Sequence, residues 1–285
     1  MAPTQRYRVL CLPGYGTTGE MLLGKMAKLR KVLDEDFELV GMDPPMLFGH
    51  PTTTFGTSKV SPVIEDVYCG WWPRHYTHTF EGDYVSFENV LWALREFVER
   101  TGPYDAIFGF SQGGNVLAHV LPLFEKPWLH PIFTSPAPWR ARASITSLSS
   151  EASSTLASRR SSLLSDTPPI SPMGSDFFGS SAPSRRSSVG EDDIWPIKPF
   201  KCAIFVGAYG PGDPITNSWF ATPVKCPTLH IIGRNDAWIH PQYQIDTAAR
   251  FANTETMWHI GGHIIPQTKE HHFAIRDFLL AHCKE

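Results

Sequence analysis

The stretch at residues 104–121, YDAIFGFSQGGNVLAHVL, decides the fold. It starts as an apolar run, passes through the pattern Gly-x-Ser-x-Gly at 109–113, and continues with apolar residues at helical spacing, which predicts a strand followed directly by a helix. In that context the two glycines predict a tight, strained turn, because a side chain at either place would collide with the neighbouring strand or helix. Such a turn lifts Ser111 out of the sheet and places the backbone N–H of Gln112 at the start of the helix. The stretch therefore predicts a nucleophilic serine beside one donor of an oxyanion hole.

Several other apolar runs resemble the run that precedes Ser111. Each is bounded by Gly, Pro or Asp, which is typical of buried parallel strands. Helix-like stretches lie between several of them, and the clearest helical pattern covers residues 86–100. Strands that alternate with helices predict an α/β fold with a mostly parallel sheet flanked by helices. The strong strand candidates are YRVLCLPG, YDAIFGF, CAIFVGAYG and PTLHIIGRND, and the weaker ones are FELVGMD and TETMWHIGG.

The composition changes sharply between residues 141 and 193. Of these 53 residues 17 are Ser, and the aromatic residues are Phe177 and Phe178 alone. Such a stretch cannot bury enough apolar surface to offset its chain entropy. The sequence therefore predicts a single domain over 1–285, interrupted by a disordered surface insertion at 141–193.

Two sequences inside the predicted insertion resemble basophilic kinase sites. RRSSL at 159–163 and RRSSV at 185–189 each place a basic pair two residues ahead of a Ser that precedes an apolar residue. Ser162 and Ser188 are the candidate acceptors, and each phosphate would add close to two negative charges. The alternative is that the basic pairs are incidental charges in a solvated loop.

Charge and composition exclude several classes of function. The net charge is −3 and the isoelectric point is near 6.5, which gives no basic field for nucleic acid or an anionic membrane surface. The five cysteines are odd in number, scattered and without metal-ligand spacing, so neither a disulfide framework nor a zinc site is indicated. The chain has neither a secretory signal pattern nor an apolar segment long enough to span a bilayer. These features favour a cytoplasmic protein that requires no metal and no cofactor.

A serine hydroxyl needs a base and an acid to become a nucleophile at neutral pH. Among the twelve histidines, His263 follows two glycines in a loop after a predicted strand near the C-terminus, where this topology delivers the base. Asp236, the last residue of PTLHIIGRND, lies in the loop after that strand and is the favoured acid. Asp213, also after a strand, is the alternative and suits an Asx-type turn. The order Ser, Asp, His along the chain is that of α/β-hydrolases, so we expect the α/β-hydrolase fold. Three further histidines are predicted to be structural or solvated: His259, His271 and His272.

The second oxyanion donor is expected in the loop after the first strand, LPGYGTTGE at 12–20. Gly14 lets the backbone approach a ligand, and the N–H of Tyr15 is the predicted donor beside that of Gln112. The alternative, a phosphate cradle, lacks both the Lys-Ser/Thr pair of a P-loop and the glycine spacing of a dinucleotide site.

Five blocks of the sequence resemble the fungal FSH-type serine hydrolases, a family of α/β-hydrolases. The resemblance implies a triad of Ser111, Asp236 and His263, with Tyr15 and Gln112 lining the oxyanion hole. The first loop departs from the family, which usually has His-Gly where this chain has Pro13-Gly14, and a proline cannot make the hydrogen bonds of that histidine side chain. The blocks are RVLCLPGYGTTGE, CGWWPR, YDAIFGFSQGGNVLA, HIIGRNDAWIHP and MWHIGGHIIPQ.

The resemblance also implies a substrate class. Some relatives are thioesterases or acyl hydrolases that release acyl chains for fungal polyketide synthases, which implies a small acyl ester or a carrier-bound acyl thioester as substrate and an acyl carrier domain as partner. Trp71 and Trp72 would then form an apolar wall of the acyl pocket, the alternative being a loop that packs over the core through its aromatics. Two other functions remain open: an acyl-protein thioesterase or general carboxylesterase, and a non-catalytic binding protein with the hydrolase fold.

Overall fold

The computed structural model describes residues 6–49, 67–72, 84–135, 195, 200–212 and 214–284. The predicted insertion at 141–193, with Ser162 and Ser188, lies outside the described residues, and so does Asp213. The chain divides into one unit of residues 1–134 and 195–285 and a second unit of residues 135–194, of which only Ser135 is described. The fold below is that of the first unit, and a single domain with a disordered insertion remains a prediction.

A parallel sheet of six strands forms the centre of the described unit, in the order β2-β1-β5-β6-β7-β8. All four strong strand candidates and both weak ones lie in this sheet, which confirms the predicted fold class. Two further strands, β3 (Met46–Gly49) and β4 (Val67–Gly70), pair with each other antiparallel and were not predicted. The sheet strands are β1 (Tyr7–Leu12), β2 (Phe37–Gly41), β5 (Ala106–Phe110), β6 (Cys202–Val206), β7 (Thr228–Gly233) and β8 (Thr254–His259).

Helices cover both faces of the sheet. The predicted helix at 86–100 is observed as α3 (Tyr84–Thr101), and the stretch after Ser111 forms α4 (Gln112–Glu125). The described unit also contains α1 (Gly19–Lys25), α2 (Ala27–Leu33), α5 (Pro214–Ser218), α6 (Pro241–Ala248) and α7 (Lys269–Cys283).

The side chains of β1 alternate between two apolar layers. Val9 and Cys11 pack in the layer that includes residues of α1, α2 and α7, whereas Leu10 and Leu12 pack in the layer that includes residues of α3 and α4. Both faces of the strand are therefore covered, which is why its sequence is a continuous apolar run rather than an alternating one.

The strand order places a crevice at one edge of the sheet. The chain runs from β1 outward to β2 and then returns to add β5 on the other side of β1, so the strand order reverses between β1 and β5. Ligands of open parallel sheets bind outside the carboxyl ends of the strands at such a reversal. The loops that follow β1, β5, β7 and β8 carry the candidate site residues to this edge.

His230 on β7 is an unusual member of the core. Its ring stacks on Phe205, with 4.4 Å between the ring centroids and 5° between the planes, and its Nε2 atom has no hydrogen-bond partner among the described residues. Burial lowers the pKa of this imidazole to about 3.

This burial predicts a loss of stability in acid. The unfolded chain binds a proton on His230 as the pH falls below about 6.5 and the folded protein does not, so folding free energy is lost at about 1.4 kcal/mol per pH unit between that value and the folded pKa. Replacing His230 by Phe, which preserves the stacked ring, is expected to flatten this part of the pH dependence. Urea denaturation of both proteins at pH values between about 7 and 4 measures the slopes. Equal slopes would contradict the account.

Candidate active site

Ser111 lies in a strained turn between β5 and α4. Its φ of 54° and ψ of −121° lie in a region that side chains rarely adopt, and it is the one non-glycine residue with positive φ in the described part of the chain. Its backbone N–H donates to the carbonyl of Val206 (2.8 Å), and its carbonyl accepts from Asn115 N (3.0 Å). These two hydrogen bonds keep the turn in its strained conformation. Backbone strain of this kind is common at functional sites.

The two glycines of the pattern permit this turn for a steric reason. A Cβ atom on Gly113 would lie 2.2 Å from the carbonyl oxygen of Leu12, and one on Gly109 would lie 2.6 Å from the Cα of Gly114. The first contact would push α4 away from β1, and the second would push β5 away from α4. The pattern therefore reports close backbone packing on both sides of the serine.

Ser111, His263 and Asp236 form one chain of hydrogen bonds. The Ser111 Oγ atom lies 2.8 Å from His263 Nε2, and His263 Nδ1 lies 2.8 Å from Asp236 Oδ2. An ionised carboxylate only accepts, so Nδ1 carries the proton and Nε2 accepts from the serine hydroxyl. The structure thus brings the three predicted residues together in the arrangement that makes a serine nucleophilic.

The loop after β7 wraps around the Asp236 carboxylate. Asp236 Oδ1 accepts from the backbone N–H groups of Trp238 and Ile239, each at 2.9 Å. Burial acts to raise the pKa of this carboxyl, but the hydrogen bonds from His263 and from these two amides outweigh it and lower the pKa below its ordinary value. Asp236 is therefore ionised at neutral pH, as the orientation of the imidazole requires.

The three histidines that were predicted to be structural or solvated contact backbone groups. His259 Nδ1 accepts from Gly261 N (3.2 Å), His271 Nε2 lies 3.1 Å from the Trp258 carbonyl, and His272 Nε2 lies 3.0 Å from the Pro266 carbonyl. These bonds connect β8, the loop after it and α7, so the three residues support the segment that carries His263.

Gly207, which sequence reasoning missed, lies against the His263–Asp236 pair. It follows β6 with a φ of +58°, and a Cβ atom there would lie 2.9 Å from the Cε1 and Nδ1 atoms of His263. The glycine leaves the space in which the imidazole can bond to both of its partners. Its only sequence signal is its place after a strand, which many loop glycines share.

Replacing Gly207 by Ala is expected to lower kcat for an acyl ester about tenfold to hundredfold, because the new methyl displaces His263 from both hydrogen bonds. The left-handed backbone adds a stability cost of about 1–2 kcal/mol. Gly24→Ala in α1 is the matched control, since a Cβ atom there meets nothing within 4 Å. Steady-state kinetics and thermal unfolding of the two variants measure both effects. Wild-type kcat in Gly207→Ala would contradict the steric role of Gly207.

The two predicted oxyanion donors lie on different elements of the fold. Gln112 is the first residue of α4, and Tyr15 lies in the loop between β1 and α1. Both line the cavity that Ser111 also lines. Their role as oxyanion donors remains a prediction.

Trp71 supports this arrangement and is not among the described residues that line the cavity. Its indole is fully buried, and its Nε1 donates to the carbonyl of Pro13 (2.8 Å). The Gln112 side chain accepts from Trp71 N (3.0 Å) and donates to the Trp72 carbonyl (2.8 Å). The indole of Trp71 points towards the β1 loop, whereas Trp72 lines the cavity, and a role of either residue in an acyl pocket stays a prediction. Trp71 thus holds the backbone of Pro13 in place, at the position where the resembling family usually has a histidine.

The cavity beside Ser111 has a volume of about 1190 Å³ and walls that are mostly apolar. Trp238 covers one side of it and lies parallel to the His263 ring, with 6.0 Å between centroids and 11° between planes. The ring centroid of Phe110 lies 5.1 Å from that of the same imidazole. The described lining includes the apolar residues Tyr15, Trp72, Phe110, Tyr209, Ala237, Trp238, Ile239, Ile264 and Ile265.

The described residues offer neither a metal-ligand cluster nor a membrane-spanning helix. They contain no group of three or more His, Cys, Asp or Glu side chains that could hold a metal ion. None of the described helices combines the length and apolar character that crossing a bilayer requires.

Comparison with known proteins identifies the family. The model of the serine hydrolase (FSH1) family matches residues 1–148 and 181–275, which include Ser111, Asp236 and His263. The chain belongs to this family. Membership makes the protein a serine hydrolase, a hydrolytic enzyme. The fungal origin suggested by the resemblance is not shown, because esterases of animals are among its relatives.

Relatives of this serine hydrolase include two proteins named as esterases. Esterase CG5412 of Drosophila melanogaster is 24% identical over 94% of this chain and 71% of its own length. Esterase OVCA2 of Mus musculus is 24% identical over 98% of both chains.

Solved structures show the same fold at low identity. The crystal structure of SOBER1 from Arabidopsis thaliana is 13% identical, with a TM-score of 0.53 over 98% of this chain and 99% of that one. Acyl-protein thioesterase 2 of Zea mays is 12% identical, with a TM-score of 0.51 over 99% of this chain and 96% of that one. The likeness to both proteins shows the α/β-hydrolase fold of this serine hydrolase.

Proposed function

We propose that the protein hydrolyses an acyl ester or thioester through an acyl intermediate on Ser111. The observation that carries this proposal is the continuous chain of hydrogen bonds from Ser111 through His263 to Asp236, which opens into a mostly apolar cavity. A carbonyl substrate in that cavity meets both the nucleophile and the two predicted oxyanion donors.

The residues act in a fixed order. His263 Nε2 removes the hydroxyl proton as Ser111 Oγ attacks the acyl carbon, and the N–H groups of Tyr15 and Gln112 stabilise the oxyanion. His263 then gives its proton to the leaving alcohol or thiol, and the acyl group stays on Ser111. In the second half His263 removes a proton from water, which attacks the acyl-serine and releases the acid. Asp236 orients the imidazole and stabilises its charged form throughout.

The apolar walls favour an acyl chain over a sugar or a charged peptide. Trp72, Trp238 and Ile264 present ring and aliphatic surface beside the nucleophile, and burial of apolar surface is what such a chain gains. For the natural substrate we favour a carrier-bound acyl thioester, with a polyketide synthase acyl carrier domain as partner. A palmitoyl-protein thioester or a general carboxylic ester is the second candidate, supported by the names of the relatives.

The redox state of the cysteines supports a cytoplasmic location for this activity. All five cysteines are free thiols in the structure, and four of them are buried. Free thiols persist in a reducing compartment.

Initial rates with three acyl substrates test the proposal. The substrates are a series of p-nitrophenyl esters of increasing chain length, an acyl thioester on a carrier protein and a palmitoylated peptide. We expect turnover of the esters with a preference for longer chains, and the highest kcat/KM for the carrier thioester. A higher kcat/KM for the palmitoylated peptide would replace the carrier proposal with the second candidate. No turnover of any of the three would favour a non-catalytic binding protein.

A further inference from the structure

A buried glutamine outside the predicted triad contacts the candidate acid. Gln244 lies in α6 and is 2% exposed. Its Nε2 atom lies 3.1 Å from Asp236 Oδ2 and 2.7 Å from the carbonyl oxygen of Ile239. The side chain therefore connects α6 both to the carboxylate and to the loop that wraps around it.

The partners of Gln244 determine which way its amide faces. The Asp236 carboxylate and the Ile239 carbonyl both accept, so the NH₂ group must face them and donate to both. A flipped amide would place Oε1 against two other acceptors. In the observed orientation Oε1 is buried and has no hydrogen-bond partner within the described residues, which is unfavourable. The two hydrogen bonds that the NH₂ group donates therefore outweigh the free energy lost by leaving Oε1 without a partner.

Gln244 completes the hydrogen bonding of the Asp236 carboxylate. Oδ1 accepts from the Trp238 and Ile239 amides, and Oδ2 accepts from His263 Nδ1 and Gln244 Nε2. A carboxylate offers about four acceptor positions, so these four donors fill them. The carboxylate cannot rotate about its Cβ–Cγ bond without breaking several of these bonds.

We infer that Gln244 is a positioning residue for the proposed reaction, holding Asp236 Oδ2 in line with His263 Nδ1 so that His263 Nε2 faces Ser111. This inference rests on the proposed function. Gln244 does not itself line the cavity, and it reaches the reacting atoms through the Asp236 carboxylate and through the loop that carries Ile239.

Loss of the Gln244 donor has a predictable effect on the pH profile. With one donor fewer, the Asp236 carboxylate becomes more basic and stabilises the protonated imidazole of His263 more strongly. His263 then stays protonated, and unable to act as a base, up to a higher pH. Four other titratable groups face this region and stay unchanged in the test: His259 from β8, and Tyr15, Lys25 and Tyr209 from the cavity wall.

The test compares Gln244→Met with Gln242→Met by the pH dependence of kcat and KM for a p-nitrophenyl ester. Methionine matches the length of glutamine but donates no hydrogen bond. Gln242 lies on the same helix, is exposed, and bonds to Asp246 rather than to the site, so it is the matched control. For Gln244→Met we expect kcat to fall about tenfold to hundredfold, KM to change little, and the acid limb to move to higher pH. Gln242→Met is expected to behave as wild type.

Gln244→Glu provides a second, isosteric variant should Gln244→Met fail to fold. It places a second carboxylate 3.1 Å from Asp236, and two like charges so close cannot both ionise without loss of the His263 bond. We expect its kcat at neutral pH to fall further than that of Gln244→Met.

The inference is overturned by wild-type kcat in either variant. It is also overturned if kcat falls only in proportion to the fraction of unfolded protein while the acid limb of the pH profile stays at its wild-type position. That result would mean that Gln244 only stabilises the fold. If wild type hydrolyses the ester and Gln244→Met equals it, the inference alone fails. No hydrolysis by wild type overturns the proposed function together with it.

Discussion

Ser111→Ala is expected to lower kcat for acyl ester hydrolysis by about 10⁶-fold, because it removes the hydroxyl that lies 2.8 Å from His263 Nε2. The residual rate comes from substrate binding and the oxyanion donors alone. Substrate affinity should stay near that of wild type, since the variant removes one oxygen from a cavity that is mostly apolar. Stopped assays with purified variant and wild type measure kcat, and binding of a non-hydrolysable ester analogue measures affinity.

A second variant at the same position separates the loss of the nucleophile from loss of the fold. Ser111 has a φ of 54°, so alanine inherits the same strained backbone, whereas glycine relieves it. Ser111→Gly is therefore expected to be equally inactive yet more stable than Ser111→Ala by about 1–2 kcal/mol. Near-wild-type turnover in either variant would mean that Ser111 is not the nucleophile.

Asp236→Asn is expected to lower kcat by about 10⁴-fold. Both oxygens of Asp236 accept hydrogen bonds, so the new NH₂ group must replace one of them. On the Oδ1 side it would face the Trp238 and Ile239 N–H groups, which can only donate. It therefore turns towards His263, whose Nδ1 must now accept, and the proton moves to Nε2. In that tautomer the imidazole cannot accept the proton of Ser111.

The control for Asp236→Asn is Asp246→Asn on α6. Asp246 is exposed and bonds to Gln242, so the kcat of Asp246→Asn is expected to match that of wild type. Asp236→Asn should also be less stable by about 1–3 kcal/mol, because the Gln244 amide then faces a donor. Steady-state kinetics and urea denaturation of both variants measure these effects. If Asp236→Asn lowers kcat by less than tenfold, another group orients His263.

The sheet was predictable from sequence chiefly because its four central strands are buried on both faces. β5 and β6 are uninterrupted apolar runs and β1 and β7 are mostly apolar, and the pattern at 109–113 specifies both the strand and the helix around it. The pair β3 and β4 was missed because each has four residues, in a segment rich in Thr and Pro. Strands that short lack a detectable period.

The candidate site was only partly predictable. Ser111, Asp236 and His263 each follow a strand, so their loops could be placed at one edge of the sheet before the structure was known. Gly207 and Gln244 act through contacts with residues distant in sequence, and no local pattern distinguishes them from ordinary loop and helix residues. The direction of the Trp71 indole likewise depends on packing against the Pro13 loop.

Covalent labelling tests the central claim most directly. A fluorophosphonate reacts with a serine only when that serine is activated, and intact-protein mass followed by peptide mapping locates the adduct. The account predicts one adduct on Ser111 in the folded wild type, none in Ser111→Ala, and much slower labelling in His263→Ala and Asp236→Asn. An adduct at another residue, or equal labelling in wild type and Ser111→Ala, would contradict the assignment of Ser111, His263 and Asp236 as the catalytic residues.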